Sequence, residues 1–346
     1  MIMANTAEAY AAIRYGIFEQ ATWGTGAVDG SAIDELVVEH AQIDDDLQVR
    51  ESISQTGVRF KLNDNVKVDV AGAMPKVSGL TFPEANADTM DLLCYAWFQK
   101  VTEGAASPYG KTFVLPVSGT TQQPDFSASA GFFCSFVKRM PTASQSLSVD
   151  DCVAEALTIK AEPSGMVNAT VDLVGRGSVN KTLNPSGTWT LNTANGWHYT
   201  DILTHTIDFG SGAVSVPLMG AWEVGLTQKV SAVDPESGSH NSIALTERGG
   251  SFTIRTQKDA NSQTAFANAV AGTAITAVLG WSNSATGTAG DTDDDLQITV
   301  NGVITDAISI EGEDVTSVVL TGQITSDDNT GSPVTIVVAN DTDRTW

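Results

Sequence analysis

Two runs of carboxylates carry the densest potential chemistry in the chain: Asp44-Asp45-Asp46, and Asp291, Asp293, Asp294 and Asp295. Calcium needs about six to eight oxygens in a loop shaped around the ion. Neither run has the glycine and distal glutamate of an EF-hand loop, so each reads as a solvated turn. The four histidines, His40, His198, His205 and His240, form no H-E-x-x-H pair and no metal-ligand spacing. Cys94, Cys134 and Cys152 are odd in number and far apart, with no C-x-x-C pair, which excludes a zinc knuckle and a disulfide framework. There is no G-x-S-x-G elbow, no phosphate-binding G-x-x-x-x-G-K-[ST] loop and no dinucleotide-binding glycine pattern after a strand. A carboxylate pair for glycoside hydrolysis can be distant in sequence and leaves no local signature. The chain is only 7% aromatic, however, and offers few stacking platforms for a sugar. The expectation is a non-enzymatic protein with no catalytic residue, no cofactor and no metal.

The elements that would position any site are mostly strands. One segment is strongly helical: from Asp88 to Val101 the residues Met90, Leu93, Cys94, Trp97, Phe98 and Val101 form one apolar stripe at the helical period. Asp88 is placed to cap its start and Gly104 to end it. A stripe with Met90, Leu93, Trp97 and Phe98 must lie against an apolar surface, most simply a sheet. A weaker helix is expected from Asn261 to Val270. Strands are expected at Ile33–His40, Val66–Val70, Phe132–Val137, Leu157–Lys160, Val167–Val174, Val224–Val233, Ser251–Thr256, Leu296–Val300, Ala307–Ile310, Val315–Ile324 and Val334–Val338. Several alternate polar and apolar residues, which suits half-buried antiparallel strands.

The order of elements repeats. Glu35-Leu36-Val37-Val38 and Glu223-Val224-Gly225-Leu226 each precede an acidic loop, an alternating strand (Val66–Val70 or Ser251–Thr256) and a helix. Each copy closes with a strand pair, opening at Ala156 in the first and Ala307 in the second. The first copy is longer between helix and closing strands, and the Gly/Ser/Pro/Thr-rich stretch 105–123 is placed to be that insertion. This divides the chain into 1–176, a linker or exposed hairpin at 177–212 bearing Trp189 and Trp197, and 213–346.

The length of 346 residues leaves room for two ordinary domains, and 42% hydrophobic residues supply a core. With 41 acidic against 18 basic side chains, the formal net charge is −23. A static nucleic-acid binder needs Lys and Arg against phosphate, so that class is disfavoured, whereas a wall along which DNA slides is compatible. No apolar run reaches about 18 residues, so no membrane span is expected. Residues Met1 to Ala12 lack a basic region followed by an apolar one, so no signal peptide is expected. Synthesis in a reducing cytoplasm fits the cysteine usage.

The segment Arg14-Tyr15-Gly16-Ile17-Phe18-Glu19-Gln20-Ala21-Thr22-Trp23-Gly24-Thr25 resembles the opening of tail tube (major tail) proteins of long-tailed, siphovirus-like bacteriophages. So does the succession after it: a strand from Leu36, an acidic loop running into Arg50-Glu51-Ser52-Ile53, the strand Val66–Val70 and the helix from Met90. The segment Glu223 to Gly272 is similar again to a tube module. The resemblance implies a mainly β chain with two tandem β-barrel or sandwich modules, each with one flanking helix. Such modules form rings that stack into a hollow tube, a design shared with type VI secretion tubes. Two modules per chain imply a trimeric ring with pseudo-sixfold symmetry; one implies a hexamer.

By the same resemblance the lumen sheet would draw on Val66, Val68, Val70, Phe252 and Ile254. Ring-to-ring contacts would use Asp44, Asp45, Asp46, Ser107 and Tyr109. The implied partners are further copies of the chain, a tape-measure protein, tail terminator and tail tip proteins, and DNA in transit without specific binding. The implied location is the virion tail. A competing reading from a different class is a carbohydrate-binding or adhesin-like β protein, motivated by Trp189, Trp197 and the acidic loop at Asp291.

Overall fold

The structure is a computed structural model that describes residues 13–20, 26–39, 41–45, 48–51, 66–69, 74–99, 101–104, 109–115, 133–140, 146–177, 179–181, 183–191, 195–208, 212–215, 218–233, 242–258, 260, 264, 267, 272, 274–283, 294–310, 317–325 and 332–340. The chain is mainly β, as its composition predicts. Two long strands, β10 (Leu147–Ala161) and β18 (Asp295–Ile310), organise the rest, because each belongs to two sheets.

The first half of β10 lies in a sheet with β9 (Phe133–Arg139), β1 (Arg14–Gln20) and β2 (Ile33–Leu36). A short strand, β12 (Trp189–Leu191), extends it in parallel beside β2. The first half of β18 lies in a corresponding sheet with β17 (Ala274–Ser282), β13 (Ile202–Asp208) and β14 (Ala213–Ser215). On its other side this sheet continues through β20 (Val334–Asn340), β8 (Tyr109–Val114) and β7 (Thr102–Glu103).

The second halves of the two long strands meet in one antiparallel sheet of eight. Its order is β3 (Gln42–Asp44), β6 (Lys76–Phe82), β11 (Val167–Val174), β10, β15 (Leu218–Val233), β16 (Ser242–Gln257), β19 (Ser317–Ile324) and β18. The pairings link 18 strands. Followed strand to strand among the described residues, they branch at β10 and β18 and never return to their start. Among the described residues the pairing network is therefore an open, branched set of sheets.

The pairing order repeats strand for strand. The set 3–6–11–10 is followed by 15–16–19–18, and the set 2–1–9–10 by 14–13–17–18. Each closing hairpin carries its extra residue at the corresponding place: Glu155 between Ala154 (opposite Leu173) and Ala156 (opposite Asp172), and Thr305 between Ile304 (opposite Gly322) and Asp306 (opposite Thr321). These bulges mark where each long strand leaves one sheet for the other.

The register corrects the correspondence read from sequence. Ala156 matches Asp306, not Ala307, and the partner of β16 in the first half is β6, not the Val66–Val70 strand. A one-residue slip would exchange the two faces of a strand, and hydrophobic pattern alone does not resolve it across a bulge. Residues Val66–Asp69 form β5, which pairs with β4 (Gln48–Glu51) in a separate ribbon. That ribbon matches the distal part of the β15–β16 hairpin, where Lys229 faces Thr246 as Gln48 faces Asp69. The predicted linker contains β13, which pairs with β14 and β17 as β1 pairs with β2 and β9.

Helix α1 (Ala87–Phe98) starts at Asn86, whose Oδ1 accepts from Thr89 N at 2.9 Å, rather than at Asp88. It ends at Gln99, in the left-handed region at φ 62, whose N–H donates to Tyr95 O at 2.9 Å, short of the predicted Val101. Every residue but Asp88 is buried, so the helix is clasped all round rather than laid on one surface. The helix reaches β10, β8 and β20. Around the second predicted helix Ala260, Thr264 and Ala267 are described, and each is helical.

Candidate assembly interface

The eight-stranded sheet has two chemically distinct faces, set by alternation along each strand. One cross-strand row runs Phe82, Ala169, Ile159, Val224, Phe252, Gly322, Ile304, and all of these are buried. On the opposite face one row runs Thr81, Thr170, Thr158, Gly225, Ser251, Gln323. The next runs Asn168, Lys160, Glu223, Thr253, Thr321, Asp306. Charges here sit near partners: Lys76 Nζ is 2.9 Å from Glu155, Lys160 faces Glu223, and Arg255 Nε donates to Ser317 Oγ at 2.9 Å. The exposed face is thus mainly hydroxyl and glycine with interspersed opposite charges, despite the strongly acidic composition.

The two four-strand sets meet along a seam between β10 and β15. It is antiparallel and runs from Ala156 opposite Thr227 to Ala161 opposite Trp222. A buried polar cluster fixes this seam. Gln228 occupies the register shift of β15, and its Nε2 donates to the carbonyls of Trp97, 3.2 Å away, and Ala154. The first belongs to the last turn of α1, where carbonyls lack a donor within the helix, and the second flanks the β10 bulge. Arg248 Nε donates to Gln228 Oε1 at 3.0 Å, its guanidinium lies 5.9 Å from the Trp97 ring centroid, and burial lowers its pKa.

The crossover of β10 is held by a second cluster. Asp151, at φ 53, pairs with Arg176 at 2.8 Å and exchanges hydrogen bonds with the Gln20 side chain at 3.1 and 2.9 Å. Asn301 takes the equivalent place in β18: its Oδ1 accepts from Thr276 Oγ1 at 2.7 Å and its Nδ2 donates to Ser332 O at 2.8 Å.

Among the described residues the sheet ends on two edges. β3 is bonded to β6 along one side, and among the described residues no strand pairs with its other side. β18 is bonded on one side by β20 and then β19, and on the other by β17 as far as Val303; beyond that no described strand pairs with it.

The residues picked from sequence scatter across this arrangement. Phe252 and Ile254 lie in the eight-stranded sheet but face the core, while their neighbours Ser251, Thr253 and Arg255 take the outer face. Val66 and Val68 lie in the separate ribbon, and Val70 falls outside the described residues. Met90, Leu93, Trp97 and Phe98 are all buried in α1. Asp44 ends β3, and Asp45 pairs with Lys181 and accepts from Val179 N at 3.0 Å. Asp46 and Ser107 lie outside the described residues. Tyr109 is not in a loop: it opens β8, opposite Asn340.

Sequence reading missed Lys111, Gln228 and the Gln20–Asp151–Arg176 cluster. For Lys111 a signal existed, since it alternates in phase with Phe113 toward the core face of β8. Among the described residues no group of three or more His, Cys, Asp or Glu could hold a metal, and no helix is long and apolar enough to cross a membrane. No family model matches the chain, and no curated protein matches it.

Proposed function

We propose that this chain is a structural subunit that assembles with copies of itself into stacked rings forming a hollow tube, in the manner of the phage tail tube proteins it resembles. One observation carries the reading: two four-strand sets with the same internal order join edge to edge in one sheet, and among the described residues no strand pairs with the outer side of β3 or with β18 past Val303 on its β17 side. A sheet with open edges invites pairing with further chains, and ring closure removes the edges. Three copies would supply six sets, giving a trimer with pseudo-sixfold symmetry.

In such a ring the hydroxyl-rich face would line the lumen. Its mixture of Thr, Ser, Gly and opposed charges offers a polyanion neither strong attraction nor strong repulsion, which suits a conduit for DNA and for a tape-measure protein before it. The location would be the virion tail, with terminator and tip proteins at the two ends. Of the residues that motivate the carbohydrate-binding alternative, the acidic residues Asp291 and Asp293 lie outside the described residues, and neither tryptophan offers a free ring face. Trp197 is fully buried with Nε1 donating to Asp294 O at 2.9 Å, and Trp189 lies under Arg14 and Arg139 at 4.9 and 5.7 Å.

Negative-stain microscopy of the purified chain at high concentration tests the proposal. Rings or tubes of uniform width with threefold chain symmetry are expected. A monodisperse, fully folded monomer at millimolar concentration would end it. Stacking between rings is tested by deleting residues 117–122, which leaves β8 in place; free rings without long tubes are expected.

A further inference from the structure

The seam inside the chain specifies the seam between chains. β10 and β18 are equivalent strands with equivalent bulges, offset by 150 residues from Ala156 to Asp306. β15 and β3 are likewise equivalent: Val224 faces Phe252 as Ile43 faces Val77, and both of these face the matching position of the closing hairpin, Gly322 or Leu173. That fixes their offset at 181 residues, from Ile43 to Val224.

The side on which the edges are open also agrees. β10 is paired on one side first by β9 and then, past its bulge, by β15. β18 is paired on the corresponding side first by β17, and past its bulge no described strand follows. The position beside β18 that no described strand takes is the one β15 fills beside β10, and β3 is the β15 equivalent whose far side no described strand takes.

We propose that the second half of β18 pairs antiparallel with β3 of a second copy of this chain, in the register Ala307 opposite Asp45, Ile308 opposite Asp44, Ser309 opposite Ile43 and Ile310 opposite Gln42. This rests on the assembly reading above and names its contact. The register is the internal seam carried over, where Leu157 faces Leu226, Thr158 faces Gly225, Ile159 faces Val224 and Lys160 faces Glu223. The internal seam places Lys160 against Glu223, whereas the seam between copies would place Ile310 against Gln42. The contact between copies therefore depends on main-chain pairing rather than on an ion pair, and added salt should not dissolve it.

Paired cysteines read the register directly. Directly opposed residues of an antiparallel pair have Cα atoms about 4.5–5.5 Å apart, within disulfide reach. The three native cysteines are buried, and burial pushes the Cys94 and Cys152 thiols well up, so they stay unreactive in the folded chain. The double variant Q42C/I310C, oxidised after assembly, is expected to give a ladder of covalent multiples on a denaturing gel. An equal mixture of the two single variants should stop at dimers, and Q42C/S309C, whose partners lie on opposite faces, should give none.

Rings or tubes that form without a Q42C/I310C ladder would overturn the seam while leaving the assembly reading intact. Equal cross-linking by Q42C/S309C would overturn the register. Absence of any ring from the unmodified chain would defeat the assembly reading, and the seam with it. Hydrogen exchange on the unmodified protein needs no variant to fold. Amides in 42–44 and 306–310 should exchange about tenfold or more slowly in the assembled form than in the dilute chain, and unchanged exchange at both edges would also overturn the seam.

Discussion

Lys111 Nζ lies 2.6 Å from Asp91 Oδ2 with neither side chain exposed to solvent, so an ion pair sits in the core between α1 and β8. The same ammonium donates to Asn340 Oδ1 at 3.2 Å, and Asn340 Nδ2 donates to Asp88 Oδ1 at 3.1 Å. A helix from the first half of the chain, a hairpin that follows it and the last described strand are thereby joined through one cation. Removing a single partner from a buried pair leaves the other charge uncompensated, which typically costs about 3–5 kcal/mol. Lys111→Met is expected to lower stability by that order in urea unfolding. Adding Asp91→Leu to it should recover part of the loss, because the double change removes both fully buried charges, while Glu103, 3.8 Å from Lys111 Nζ, keeps 20% of its side chain exposed and can be hydrated.

His205 is buried against Trp281, their ring centroids 4.9 Å apart, and burial lowers its pKa from 6.5 to about 4. Below pH 6.5 the unfolded chain takes up a proton that the folded chain refuses, so this residue's contribution falls as pH drops from 6.5 towards 4 and is constant above 6.5. The full loss is on the order of 3 kcal/mol at one unit of pH per 1.4 kcal/mol. His205→Phe keeps the ring against Trp281 and should flatten the difference in melting temperature between pH 7 and pH 4.5. An unchanged pH slope in the variant would assign the acid sensitivity elsewhere.

Gly322 and Gly302 both lie under the Phe252 ring, where an added Cβ would overlap ring atoms. Overpacking of this kind costs about 1–3 kcal/mol. Gly322→Ala should lower the unfolding midpoint accordingly, and Phe252→Leu in the same chain should restore part of the loss by clearing the space. If the glycine were needed for backbone freedom alone, the second change would add to the first instead.

Gln228 satisfies two carbonyls and one guanidinium at the internal seam. Gln228→Leu leaves these buried groups unpaired at about 1–3 kcal/mol for a buried donor or acceptor. Glutamate at this position would keep the Arg248 contact but present no donor to Trp97 or Ala154. The leucine variant is expected to unfold at lower urea, and the glutamate variant to do no better than an intermediate value.

Much of this fold could be read in advance because strong local patterns decided it. The residues Val167–Val174 alternate cleanly and form β11 over that span, and the stripe through Trp97 and Phe98 is indeed helical. The repeated order of strands is legible too, although the register matches Glu223–Leu226 to Gln42–Asp45 rather than to Glu35–Val38. Register was not, since bulges at Glu155 and Thr305 shift the alternation by one residue inside strands that otherwise look continuous. Two segments predicted as separate strands, around Leu296 and Ala307, are one strand for the same reason. The alternating Lys67-Val68-Asp69 fitted a sheet strand equally well in the ribbon where it sits, because period alone says nothing about the neighbour across the gap. The ion pair at Lys111 depends on residues 20 and 229 positions away, a separation that no local pattern encodes.

Because β10 and β15 belong to one polypeptide, every second junction around a closed ring would be preformed before any two molecules meet. Only the remaining junctions would be drawn from solution, and only those could open during exchange of subunits. Tethering also frees the two copies of the repeat to diverge, since each meets a known neighbour on one flank. The hairpin β7–β8 is an instance: it leaves the first set to complete the outer sheet of the second, a task with no counterpart on the other side among the described residues.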